Sequence, residues 1–383
     1  MTGTGATTLP AVSIVTELTG WMAEQSLPLW SGAGWDSATG GFIERLDREG
    51  RADLAAPRRV RVQARQIYSF AKAAKLGWYP QGRAIAQKGL DYLLQKAKAP
   101  DGRPGYVHTL SPDGSVLNPL RDTYDHAFVL LALSHLYDLD QDAQVLAEIH
   151  SLVGFLDASL RSPHGGLAEG LPATLPRRQN PQMHMFEAML AAFEATHEPQ
   201  FLTRAGELFG LFAANLYDQR RQVLGEYFEE DWSSIQPVCV EPGHQAEWVW
   251  LLKAFERLSG CPTARFRSGL LTSALRYRDP ATDCLVDEGN VDGMITRPSR
   301  RCWPQTEIAK AWLAQAESGE AGAADEARQA LQRLQRHYLD HPVRGGWYDQ
   351  FDGEGRSMVD WIPASSLYHV LCAIAEAERV LAD

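Results

Sequence analysis

Hydrophobic positions along this chain fall into two kinds of helical stretch that alternate. One kind is apolar on nearly every side: RQIYSFAKAAKLG from Arg65, HAFVLLALSHLYD from His126, HMFEAMLAAFEAT from His184, HQAEWVWLLKAFERLSG from His244, QTEIAKAWLAQAES from Gln305 and YHVLCAIAEAERVL from Tyr368. A helix without a polar face is buried all round. Successive runs start 58 to 63 residues apart, and a fixed period of this kind marks a repeat architecture. The other kind is one-sided, as in AIAQKGLDYLLQKAKA, EPQFLTRAGELFGLFAANLY and AADEARQALQRLQRHYL. Those stretches predict surface helices.

Between the two kinds lie short strand-like pieces that keep the same period, beginning at Gly40, Pro104, Gly165, Gly225, Cys284 and Gly345. Endings such as DREG, SPDG and FDGEG are hairpin-turn chemistry. The unit is outer helix, hairpin, inner helix, repeated six times. Six such units predict an all-α fold, an (α/α)6 barrel of two concentric helical rings with β-hairpins over one mouth. An open solenoid is the rival, but neither end carries a polar capping repeat. No linker divides the chain, so residues 1–383 read as a single barrel domain with residues 1–8 frayed.

Composition narrows the function. The chain has 383 residues, of which 45% are hydrophobic and 22% charged, and a net charge of −11. That balance suits a globular core and argues against a nucleic-acid partner. The longest uncharged apolar run is too short for a bilayer span, and no signal-peptide pattern opens the chain. A soluble, cytoplasmic protein is expected, without a membrane partner. Five cysteines with no C-x-x-C pair fit a reducing compartment. Dinucleotide, P-loop and nucleophile-elbow motifs are absent, so no cofactor is expected. The oligomeric state is expected to be monomer or homodimer.

Candidate chemistry gathers where the inner helices begin. Arg65, Asp122, Tyr124, Asp125, His126, Asn180, His184, Glu241, His244, Glu247, Trp303, Gln305, Glu307 and His369 fall over one mouth of such a barrel. A ring of imidazole, carboxylate, guanidinium and indole suits a small sugar. A lone histidine on an apolar helix is usually a satisfied core residue. His184, His244 and His369 share one phase of the repeat, which argues for a common pocket. His126 shares that phase and is left between pocket and brace. Trp248 and Trp250 read as packing, and the Arg297, Arg300, Arg301 cluster as a solvated loop, one member of which could serve a substrate or its phosphate. His244 and Glu247, at i,i+3, share a helix face, so Glu247 is expected to orient that imidazole. The same spacing could give two metal ligands, but a metal would need a third and fourth, and H-E-x-x-H is absent, so no metal is expected. Carboxylates at the mouth keep a glycoside hydrolase open. Paired histidines suit proton abstraction beside a carbonyl.

Several segments carry a resemblance to a known family: VQARQIYSFA, RDTYDHAF, NPQMHMFEA, EPGHQAEWVWLL, WPQTE and LYHVLCAI, in that order along residues 20–380. The chain resembles the N-acylglucosamine 2-epimerase superfamily of sugar epimerases and isomerases. The resemblance implies an (α/α)6 barrel and metal-free chemistry through a cis-enediol(ate). It implies His244 and His369 as the acid/base pair and Arg65 at the developing negative charge. Asn180, His184, Glu247, Trp303 and Gln305 would then bind substrate or orient the histidines, with Tyr124 beside them. The last segment, PASSLYHVLCAI, lacks the Pro-Arg of the N-acyl branch and the Asn of the cellobiose branch. It is more similar to the mannose isomerase branch. The expected reaction is therefore D-mannose to D-fructose, or D-lyxose to D-xylulose, on a monosaccharide. A 2-epimerase is the first alternative, followed by a glycoside hydrolase and a non-catalytic sugar binder.

Overall fold

The structure is a computed structural model that describes residues 13–381. The expectation of fraying at residues 1–8 lies outside the described residues. The chain runs through α1 (Ile14–Trp21), a π turn (Met22–Ser26) and α2 (Leu27–Gly32), which together form the first outer position. It continues through α3 (Val60–Lys75), α4 (Gly82–Lys96), α5 (Thr123–Asp140), α6 (Ala143–Ser159), α7 (Gln179–Thr196) and α8 (Pro199–Leu211). The last units hold α9 (Pro242–Ser259), α10 (Ala264–Ala274), α11 (Cys302–Glu317), α12 (Ala323–Leu334) and α13 (Leu367–Leu381).

Odd-numbered helices from α3 to α13 form the inner ring, each packed on the next, and α13 packs back on α3. Closure settles the choice between barrel and solenoid. The burial pattern follows the sequence pattern. In α5 every residue from Asp125 to Ser134 is buried, whereas α12 buries Ala323, Ala327, Ala330, Leu331 and Leu334 along one stripe. The inner helices start one to five residues before the apolar runs (at 60, 123, 179, 242, 302 and 367). The polar residues ahead of each run therefore form the first helical turn rather than a loop.

Short strands tie neighbouring units together over one mouth. The two or three residues before each inner helix pair antiparallel with the hairpin of the following unit. These pairs are Arg58–Arg59 with Thr109–Leu110, Arg121–Asp122 with Gly170–Leu171, Arg177–Arg178 with Tyr227–Phe228, Cys239–Val240 with Glu288–Asn290, and Arg300–Arg301 with Gln350–Phe351. Trp361–Pro363 closes the circle on Arg45–Asp47.

That pairing also caps the inner helices, whose first N–H groups have no partner within the helix. Val60, Thr123, Gln179 and Cys302 donate to the carbonyls of His108, Glu169, Glu226 and Asp349, and Ala364 ahead of α13 donates to Glu44. α9 begins with Pro242, which has no N–H to satisfy. Inner-helix glutamines hold each hairpin from below. Gln63, Gln182, Gln245 and Gln305 each accept from one backbone N–H and donate to the same residue's carbonyl, at Phe42, Leu167, Leu224 and Leu285. His126 is a half-copy of this clamp. It takes the Tyr106 N–H at 2.9 Å, which makes it a brace. No helix among the described residues is long and apolar enough to cross a membrane.

Candidate active site

The first two turns of six inner helices enclose a cavity of about 160 Å3. Arg65 from α3, Tyr124 from α5, Asn180 and His184 from α7, His244 and Glu247 from α9, Trp303 from α11 and His369 from α13 line it, with Glu241 and Arg301 at its edge. Eight of the nine residues singled out from the sequence therefore meet. The ninth, Gln305, does not: its amide is spent on Leu285 at 2.8 and 2.9 Å. It is a hairpin clamp, like its counterparts in three other units.

Each imidazole is held through Nδ1 by a carboxylate. His184 pairs with Glu187 at 2.9 Å, His244 with Glu226 at 2.9 Å and His369 with Glu307 at 2.8 Å. A carboxylate accepts, so Nδ1 carries the proton and Nε2 is left as the free face of the ring. Glu247 does not orient His244 as expected. Glu226 on the hairpin reaches that ring first, and both Glu247 oxygens are buried without a partner among the described residues.

The surroundings split the proton affinities. His244 is pushed up to about 9: burial opposes its charge, but Glu226, Glu241 and Glu247 surround it. His184 falls to about 4, because burial outweighs Glu187. His369 falls well below the ordinary imidazole value through burial and the charges of Arg65 and Lys310. One cavity thus holds a cationic imidazole and a neutral one. The Trp303 ring lies 4.9 Å from the first and 5.6 Å from the second, centroid to centroid. Gly243 permits that placement, since a Cβ there would come 2.5 Å from two Trp303 ring carbons. Arg65 donates to Tyr124 Oη at 2.7 Å and to the Ser365 carbonyl at 3.2 Å, with its guanidinium 4.1 Å over Phe128. No carboxylate pairs with it among the described residues.

Beside His108, Asp122 and Asp125, which lie away from the cavity, three groups of side chains around it have donor atoms close enough to share a cation: Glu226, Glu241 and His244; His184, Glu187 and Glu247; and Glu247, Glu307 and His369. Two already hold a protein cation. Glu241 binds Arg301 at 3.0 Å and Glu307 binds Lys310 at 2.7 Å. Asp122 and Asp125 stay out of the cavity; Asp122 caps α5, and Asp125 holds His108 and Arg61.

A comparison of sequences fixes the lineage. Residues 41–373 match the sequence model of the N-acylglucosamine 2-epimerase (GlcNAc 2-epimerase) family. The chain belongs to that family. Membership makes it an enzyme of the sugar epimerase and isomerase class. Among its relatives, a mannose-6-phosphate isomerase of Rhizobium meliloti (strain 1021) is 35% identical, over 95% of this chain and 97% of the relative. A D-mannose isomerase of Marinomonas mediterranea is 26% identical, over 89% and 92%. The fold of this N-acylglucosamine 2-epimerase family chain matches a crystal structure of a D-mannose isomerase with a TM-score of 0.87. That match has 23% identity and covers 97% of this chain and all of the other, 100%.

The sequence carried no expectation for Glu226 or Lys310, and Glu307, expected at the mouth, lies behind the cavity lining on His369 and Lys310. Glu226 had a readable signal. It stands two residues after its clamped hairpin residue, and Glu44, His108, Glu169 and Asp287 hold that same position in other units.

Proposed function

We propose that this chain is an aldose–ketose isomerase that interconverts D-mannose and D-fructose, with D-lyxose and D-xylulose as the pentose pair. The observation that carries the reading is the pairing of a cationic imidazole, His244, with a neutral one, His369, across Trp303. Arg65 Nε, Asn180 Oδ1, His184 Nε2 and both Glu247 oxygens are buried around them without partners among the described residues. Buried polar atoms need partners, and a polyol supplies donors and acceptors together.

The reaction follows from those proton affinities. In the open-chain aldose, His369 Nε2 takes the C2 proton. The C2–H electron pair becomes the C1=C2 bond, and the carbonyl π pair moves onto O1. Arg65 and imidazolium His244 meet that charge, and the N-termini of six inner helices add positive potential at the same mouth. His244 then protonates O1 and receives the O2 proton. His369 exchanges its proton with solvent while the enediol stands and then delivers one to C1, which leaves the 2-ketose and both imidazoles in their starting states. A hydrolase needs two carboxyls at the scissile bond, yet of the two lining this cavity Glu241 is committed to Arg301. The unpaired cysteines support a reducing, cytoplasmic setting.

The name of the Rhizobium relative favours a second reading, a 6-phosphorylated substrate. The other arginines around the mouth support the free sugar instead: Arg65 is taken up by the developing enediolate charge, and the four flanking it each have a carboxylate already. Arg59 pairs with Glu44, Arg61 with Asp125, Arg178 with Glu169 and Arg301 with Glu241. Comparing kcat/KM for D-mannose, D-lyxose and D-mannose 6-phosphate decides between them. Free mannose is expected to be preferred. A preference for the phosphate overturns this reading, and glucose as the main product from mannose moves the enzyme to the 2-epimerases.

A further inference from the structure

Below the cavity, α11 carries a buried cation that the reaction above does not use. Lys310 has no exposed side-chain surface. Its ammonium lies 2.7 Å from Glu307 Oε2, 3.7 Å from the centroid of the Trp250 ring and 3.9 Å from Cys372 Sγ. Glu307 uses its other oxygen, Oε1, for His369 Nδ1 at 2.8 Å and the Thr306 hydroxyl at 3.1 Å. One carboxylate therefore bridges a permanent cation and the ring of the base, and neither Lys310 nor Glu307 lines the cavity.

We propose that Lys310 is a positioning residue for the proton transfer, holding Glu307 ionised so that it fixes the Nδ1–H tautomer of His369 without drawing a second proton onto the ring. The proposal rests on the histidine mechanism above. A buried carboxylate with only an imidazole beside it has two ways to lower its energy. It can pull a proton onto the imidazole and form an ion pair, or take the proton itself. The first leaves His369 an imidazolium with no lone pair for the C2 proton. The second makes Glu307 a donor to Nδ1, which turns Nε2 into N–H. Lys310 removes both options, because Glu307 is already neutralised. The other charged or titratable groups facing His369 are Arg65 from α3, His184 and Glu187 from α7 and Glu247 from α9. Glu17 of α1, which packs on the outer side of α13, bonds Gln335 instead. Lys310 stays charged: burial opposes its charge, but Cys372, Glu307, Glu247 and Glu187 together hold its pKa up.

The test compares wild type, Lys310→Met, Lys310→Arg, Glu307→Gln and the double variant Glu307→Gln/Lys310→Met. The double variant leaves no unpaired charge from this pair and so guards against misfolding. Expected for Lys310→Met is a fall in kcat of about 10-fold or more at neutral pH with KM little changed, as for the loss of a working general base. The acidic limb of its kcat/KM profile moves to higher pH. Lys310→Arg restores the profile, and the double variant is more active at neutral pH than Lys310→Met alone. A Lys310→Met enzyme with the wild-type profile overturns the proposal. So does a double variant whose loss is the product of the two single losses. Nitrogen-15 NMR of the histidines needs no turnover and separates this proposal from the substrate reading. Wild-type His369 should be the neutral Nδ1–H tautomer at neutral pH, and Lys310→Met should convert it to imidazolium or to the other tautomer. A His369 unchanged by the substitution contradicts the proposal whether or not mannose is the substrate.

Discussion

Three imidazoles share one cavity, yet their neighbours set their proton affinities apart. His244 has three carboxylates around it, and His369 has a carboxylate already neutralised by a lysine. The rate should therefore be flat through neutrality and fall on the alkaline side near pH 9, where His244 loses its proton. Glu226→Gln removes the negative charge nearest that ring, so the imidazolium is less favoured and its pKa drops. The alkaline limb of kcat/KM should then move to lower pH, and an unmoved limb would show that Glu226 does not govern the acid. Gly243 makes a second prediction. Its Cβ has no room beside Trp303, so Gly243→Ala must displace the indole that separates the two histidines. Overpacking costs about 1–3 kcal/mol, visible in urea unfolding. A displaced indole should cut kcat/KM by about 10-fold or more. Full activity with wild-type stability would mean that the ring has slack.

Among the helices, the polar residue at the first turn has one of two jobs, and only its partner tells which. Gln305 sits two residues from Trp303 and looks like a ligand for sugar, but it repeats the work of Gln63, Gln182 and Gln245. Removing it strands the buried N–H and C=O of Leu285, at about 1–3 kcal/mol for each unsatisfied group. Gln305→Leu should lower the melting temperature and leave KM for the sugar at its wild-type value. A raised KM with an unchanged melting temperature would return Gln305 to the substrate site. His126 teaches the same lesson: it shares the phase of His184 and His244, yet both its nitrogens go to backbone, at Tyr106 and Asp122.

Across the whole molecule, the barrel was legible because α5 and its kin are apolar on every side at one period, a signal that needs no knowledge of contacts. The lead-in strands were not, since two residues carry no periodicity and their partners lie in the next unit, as Arg121–Asp122 lies against Gly170–Leu171. The cavity was legible as a phase of the repeat and by resemblance. What escaped was the ring of carboxylates behind it. Glu226 lies 18 residues before His244 on a hairpin, and Glu307 reaches His369 from another helix. The nearer carboxylate in sequence, Glu247, was the natural and wrong choice for His244. The inner ring thus supplies proton carriers, while the hairpins and the buried lysine set their charge. That division is tested most directly by proton NMR of EDTA-treated enzyme with D-mannose in D2O. The account predicts D-fructose carrying deuterium at C1 and no product from His369→Gln or His244→Gln. Product formed without any exchange of the C2 hydrogen with solvent, or by the enzyme lacking either histidine, would contradict it.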